Sequence, residues 1–200
     1  MNVKLILFDA DGVLFRSNRA ISDSLAKRFS ISGEDISKFW MAEYPRLSKG
    51  AVTTEEFVDI LSEQFNIPRS ELSTDDLVTP YKTALELNPG IEDLLEELAK
   101  KDLDIALLSD TSEPFHESRK NLDIFKHFDK QFLSFETGQL KPDNRSFQKV
   151  IDHYHLSPGE IFFIDDSPAN IAAAKELGMQ GVVFEDTEQL TEVLKDNRIL

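Results

Sequence analysis

The chain has no cysteine among its 200 residues, which excludes disulfide staples and thiolate catalysis and is compatible with a reducing compartment. Basic residues are scarce as well: 22 Lys and Arg against 37 Asp and Glu leave a formal net charge of -15. Nucleic acid and anionic membrane surfaces both need a basic face, so neither is expected as the main partner. The same charge opposes capture of an anionic substrate unless a metal and a few cations invert the field locally. The apolar start is too short for a signal peptide or a membrane span, and it runs into carboxylates at Asp9. No internal repeat or low-complexity linker is present. The expectation is a soluble cytoplasmic protein, long enough to bury a sizeable core.

What is present begins with Leu5-Ile-Leu-Phe-Asp-Ala-Asp-Gly12. Val3 to Phe8 reads as a strand buried on both faces, as inside a parallel sheet. Asp9 and Asp11 stand two apart at its end, so on an extended segment both carboxylates leave one face together. Like charges so close are tolerated best with a cation beside them. Open parallel sheets bind ligands at the carboxyl ends of their strands, where this pair lies. A plain Asp-Gly turn closing the strand is the alternative, and the pair by itself leaves it open.

From residue 88 onward helix and strand alternate, which favours a parallel α/β sheet. After Asn88-Pro-Gly90, Ile91, Leu94, Leu95 and Leu98 recur at helical spacing, and a strand from Leu103 to Leu108 leads into Ser109-Asp110. Gln131 to Ser134 reads as a short strand, and Phe147, Val150, Ile151 and Tyr154 as a helical stripe. Ile161 to Ile164 is a strand as apolar as the first and ends in Asp165-Asp166. Ser167 and Pro168 read as cap and first position of a helix that Gly178 stops. Gly181 to Phe184 and Thr187 to Leu194 complete the pattern. Residues 17–87 differ: they carry helical faces but no convincing strand, with Pro68, Pro80 and Pro89 as punctuation. The expected architecture is a Rossmann-like parallel sheet core from residues 1–16 and 88–200, with a helical cap of residues 17–87 inserted after the first strand.

Four segments now fall at strand ends or helix starts: Asp9-Ala-Asp11, Ser109-Asp110, Gly138-Gln-Leu-Lys-Pro142 and Asp165-Asp166-Ser-Pro-Ala-Asn170. In order and spacing they resemble the four motifs of the haloacid dehalogenase-like hydrolase superfamily, and the helical insert matches its cap. The stretch from Gly138 to Asp186 is most similar to a phosphatase-like group. That group includes the phosphatase domain of mammalian soluble epoxide hydrolase and bacterial glucose-1-phosphate phosphatases.

The resemblance implies Mg2+-dependent hydrolysis of a small phosphorylated metabolite, such as a sugar phosphate, through an aspartyl-phosphate. Asp9 matches the nucleophile and Asp11 the general acid/base. The implied metal ligands are the Asp9 side chain, the Asp11 backbone carbonyl and Asp166, with Asp165 supporting the shell. Lys141 and the Ser109 hydroxyl match the phosphate clamps, and Pro142 sets Lys141 at a helix start. Asp110 stands where the family usually has asparagine; it is kept as a binding residue whose backbone amide makes the contact. Asn170 matches a family asparagine.

Other readings are weaker. Dehalogenation does not use the second aspartate that Asp11 supplies. A phosphomutase is the nearest enzymatic rival, yet relatives of that kind carry a histidine soon after the first motif, and none lies between Gly12 and Leu25. A non-catalytic binding protein on the same scaffold ranks behind both, because the whole chemical set survives. His153 and His155 lack a third ligand for zinc. Tyr44, Arg46 and Lys49, read as lying between two insert helices, are candidates for meeting the substrate from the cap. Arg46 is the foremost of them, with Arg16 and Arg19 behind.

Overall fold

The centre of the molecule is the first strand. In the computed structural model, which describes residues 2–200, β1 (Leu5–Phe8) lies between β2 (Asp104–Ser109) and β4 (Ile161–Asp165). With β3 (Lys130–Leu133) and β5 (Gln180–Val183) at the edges, all pairings are parallel and the order is β3-β2-β1-β4-β5. Leu5 is level with Asp104 and Ile161, and Phe8 with Leu107 and Ile164. That register brings Asp9, Ser109-Asp110 and Asp165-Asp166 to one edge of the sheet, with Ser109 and Asp165 still paired to Leu133 and Val183 and the other three just past the strand ends.

The strands are apolar on both faces because helices cover both. Ile6 and Phe8 point into a cluster with α5 (Ile91–Leu98) and α10 (Thr187–Asp196). Leu5, Leu7 and Phe163 point the other way, onto Phe147 of α8 (Asn144–Tyr154) and Ile171 of α9 (Pro168–Glu176). Ser167 caps α9 by accepting from the Asn170 amide, with Pro168 at its first position.

Four helices are inserted after β1: α1 (Ala20–Phe29), α2 (Gly33–Ser48), α3 (Thr54–Phe65) and α4 (Asp75–Thr83). They share an apolar cluster that includes Leu25, Ile36, Phe57, Leu61 and Leu77, and Phe115 of α6 (Glu113–Arg119) joins it from the sheet side. A one-turn α7 (Ser134–Thr137) follows β3. The chain leaves and returns as a narrow antiparallel ribbon. Phe15 bridges Leu87, Arg16 donates to the Glu86 carbonyl at 2.8 Å, and Asn88 donates to that of Leu14 at 2.9 Å. The Asn88 side chain also binds the carbonyls of Gly12 and Val13, which ties the returning strand to the loop after β1.

Three expectations need correction. Pro80 does not break the chain but sits inside α4, and Pro45 sits inside α2; each costs one intrahelical bond near a C-terminal end, where apolar packing holds the helix. Tyr44 and Arg46 are therefore within a helix and not between two. The α8 helix starts at Asn144 behind an Asp143 cap, so Lys141 precedes it as part of a loop. No helix among the described residues is long and apolar enough to cross a membrane.

Phe163 is wholly buried in β4, with its ring 5.4 Å edge-on from Phe147. Phe163→Ala is expected to lower the unfolding free energy by about 3–5 kcal/mol, measured by urea denaturation; a loss below 1 kcal/mol contradicts this packing.

Candidate active site

Asp9 follows β1 directly, with its amide donating to the Ile164 carbonyl of β4 at 2.9 Å. Its carboxylate is buried and receives the Lys141 ammonium at 2.6 Å. The same ammonium contacts Asp165 at 2.8 Å and the Leu108 carbonyl at 3.0 Å. Three elements thus converge on one cation. Burial pushes the Asp9 carboxyl up to about 8, against the pull of Lys141, and Asp165 adds to the rise. For Lys141 burial works against the charge, but Asp9, Asp165 and Asp110 outweigh it and raise its pKa.

Asp165 and Asp166 have separate surroundings. Asp165 is fully buried and accepts four hydrogen bonds from three groups: Lys141, the Ser167 amide at 2.8 Å, and the Asn170 side-chain nitrogen on both oxygens. A carboxylate offers about four lone-pair positions, so its capacity is used within the protein. Asp166 is exposed on the site's open side, its carboxyl raised by partial desolvation and by Asp165, and it has no cationic partner at contact distance among the described residues. It rests against Gly12, whose φ is +96°; a Cβ there would meet the Asp166 Oδ2 at 2.1 Å. Glycine at position 12 answers both constraints.

One oxygen from each of Asp9, Asp165 and Asp166 lies within 4.8 Å of the others. The Asp11 backbone carbonyl accepts no backbone hydrogen bond among the described residues. Five carboxylates (Asp9, Asp11, Asp110, Asp165, Asp166) face two buried cations, Lys141 and Arg119. That surplus of negative charge and an all-oxygen donor set suit a hard divalent cation such as Mg2+. The free oxygens belong to Asp9, Asp166 and the Asp11 carbonyl.

Asp11 turns toward the inserted helices. Arg119 of α6 donates to its Oδ1 at 2.7 Å, and the Tyr81 hydroxyl of α4 donates to the same oxygen at 3.2 Å. Arg119 is only 1% exposed and lies over the rings of Phe15 and Tyr81. Burial disfavours its charge, yet Asp11, Tyr81 and Tyr44 hold its pKa above the usual value. Its second terminal nitrogen faces the Ser109 hydroxyl at 3.5 Å, while its Nε has no partner among the described residues.

The side chain of Asp110 accepts the Lys141 backbone amide on both oxygens at 3.2 Å, fixing the loop that carries the lysine. Burial raises its carboxyl pKa, with Lys141 acting in the opposite direction. Arg46 is not brought to this centre. It pairs with Glu43 one turn away on α2 at 2.7 Å, because the helix continues through Pro45 and turns the side chain outward. Beside Asp11 opens a cavity of about 400 Å³ lined by Arg16, Arg19, Trp40, Tyr44, Tyr81, Asp110 and Phe115, among others.

Arg119 and Tyr81 are the residues that sequence reasoning missed. Arg119 belongs to a short helix opened by Glu113-Pro114, and its charge carries no periodic signal; Tyr81 was hidden behind Pro80.

The family model for haloacid dehalogenase-like hydrolases matches residues 3–178. Flavin mononucleotide hydrolase 1 of Arabidopsis thaliana is 28% identical over 74% of this chain and 59% of its own length. Phosphorylated carbohydrates phosphatase of Thermotoga maritima is 24% identical over 90% of this chain and 84% of its own. Bifunctional epoxide hydrolase 2 of Rattus norvegicus is 24% identical over 94% of this chain but only 37% of its own. The chain thus spans less than two thirds of the length of two of these relatives. A HAD family enzyme of Bacteroides thetaiotaomicron, solved with magnesium and inorganic phosphate, superposes with a TM-score of 0.78 at 27% identity, covering 94% of this chain and 98% of that one.

Gly12→Ala is expected to displace Asp166 and weaken magnesium binding by at least roughly tenfold, measured by isothermal titration on the folded variant. An unchanged affinity removes Asp166 from the metal site.

Proposed function

The chain belongs to the haloacid dehalogenase-like hydrolase family, and on that premise we propose that it is a Mg2+-dependent phosphatase of small phosphate monoesters that works through an aspartyl-phosphate on Asp9. The observation that carries this reading is a buried carboxylate at a strand end, held 2.6 Å from a lysine that a second carboxylate fixes in place. The relative solved with magnesium and phosphate and the carbohydrate phosphatase support it.

An Asp9 oxygen attacks phosphorus as the ester oxygen departs. Asp11 gives that oxygen its proton, so the product leaves as a neutral alcohol. Water then attacks the acyl phosphate, Asp11 takes its proton, and Asp9 is regenerated with release of inorganic phosphate. Lys141 has two duties: it aims the Asp9 carboxylate and offers positive charge to the phosphoryl oxygens. The Ser109 hydroxyl, at the end of β2, is a further donor to those oxygens. A magnesium ion on Asp9, Asp166 and the Asp11 carbonyl supplies the charge neutralisation that lets an anionic nucleophile approach an anionic ester. Asp110 acts by holding the Lys141 loop.

Arg119 and Tyr81 fix the Asp11 carboxylate on one oxygen and leave the other for the proton. Both come from elements that also pack the inserted helices, so Asp11 is set between cap and sheet. The cavity beside it suits a metabolite-sized leaving group, sugar phosphates included.

The test is phosphate release from a panel of sugar and nucleotide monophosphates. Turnover is expected with magnesium, to stop with EDTA, and to return on adding the ion. Asp9→Asn is expected to lose at least roughly a thousandfold in kcat with the fold intact by circular dichroism. Turnover that survives in Asp9→Asn removes the aspartyl-phosphate, and no release from any ester removes the phosphatase.

A further inference from the structure

The cavity beside Asp11 has two unlike walls. One is aromatic: Trp40 and Tyr44 stack with ring centres 5.4 Å apart and planes 10° from parallel, and Phe115 sits 4.7 Å from the ring of Tyr81. The other is the segment that enters the inserted helices, Arg16 to Arg19. Arg16 is tied to Glu86 at 3.2 Å. Arg19, exposed at the cavity wall, differs: among the described residues its one side-chain hydrogen bond is to the Ser37 hydroxyl at 3.3 Å, and no carboxylate lies within ion-pair distance.

That isolation is unusual in this chain. Of its eight arginines, six hold a carboxylate, and among the described residues only Arg19 and Arg198 do not. Arg198 is at the far C-terminus; Arg19 lines the same cavity as the acid/base Asp11. With 37 acidic residues available, this is the one cavity-lining guanidinium that the protein has not neutralised. A guanidinium presents a planar fork of donors that matches carboxylate and phosphate oxygens. Because Asp11 meets the ester oxygen, the volume beyond it receives the leaving group.

Resting on the phosphatase reading, we propose that Arg19 is an anion subsite for the leaving group. The substrates are phosphate monoesters whose alcohol part bears a second negative group, with a ring or apolar face against Trp40 and Tyr44. The overall charge sharpens the expectation. On a protein of charge -15 an extra anion on the substrate lowers capture unless a local cation receives it. A preference for the more negative ester therefore needs a specific partner.

Three matched pairs test this: phenyl phosphate with 4-carboxyphenyl phosphate, glucose 6-phosphate with 6-phosphogluconate, and fructose 6-phosphate with fructose 1,6-bisphosphate. The wild type is expected to favour the second member of at least one pair by roughly tenfold in kcat/KM, mostly through KM. Arg19→Ala should bring that ratio to about one, while Arg19→Lys retains most of it. The pair with the larger ratio tells whether the subsite takes a carboxylate or a second phosphate. Ratios at or below one in all three pairs, or a preference that survives Arg19→Ala, overturn the subsite and leave the phosphatase standing. Absence of magnesium-dependent release from all six esters overturns both.

Discussion

The Lys141 ammonium between Asp9 and Asp165 is the contact on which the rest of the site depends. A buried lysine is costly alone, and so is each buried carboxylate; together they satisfy one another. The arrangement needs the ends of two adjacent strands and a loop from beyond β3 to meet within about 3 Å. Only the central position of β1, level with β2 and β4, brings these parts together. Asp110 and Asn170 extend the network, one fixing the Lys141 backbone and the other saturating Asp165. The carboxylate left free of this web is Asp166, which is why it is the side chain with oxygens to spare for a metal.

A second centre forms on the other side of Asp11. Arg119 and Tyr81 bring positive charge and a hydroxyl to one carboxylate oxygen, from α6 and from α4 of the insert, which pack together through Tyr81 and Phe115. Asp9 and Asp11 are neighbours in sequence but have different partners: a lysine fixed by the sheet for one, an arginine fixed against the cap for the other. On the proposed mechanism, this division suits a nucleophile that must stay still and an acid/base that must meet two different oxygens in turn. It also answers the tension between a strongly acidic chain and an anionic substrate, since the few buried cations are concentrated at the site.

Much of this was legible in the chain. The strand Leu5 to Phe8 and the strand Ile161 to Ile164 announced a sheet covered on both faces, because an apolar run without alternation has no solvent side. The carboxylates at their ends could be named from their place in the pattern, and Lys141 from the resemblance to the four family motifs. The helical insert was visible as a region of helical faces without strands. Less legible were α4 and α6, the first because Pro80 read as a break and the second because seven residues carry too little periodicity. Arg46 looked available because the stretch around Tyr44, Arg46 and Lys49 read as lying between two helices, whereas α2 in fact carries on to Ser48.

The sequence by itself determined the sheet, the order of its elements and the identity of the carboxylates at its edge, because local hydrophobic pattern and turn residues dictate those. Tertiary structure alone decided the partners: that Asp165 is saturated while Asp166 is free, that Asp110 grips the Lys141 loop, and that Arg119 and Tyr81 reach Asp11 from 108 and 70 residues away. It also left Arg19 facing the cavity without a carboxylate. The physical reason is that a charge in a sequence does not state its counter-charge. Burial and distance choose it, and both exist only once the strands are side by side.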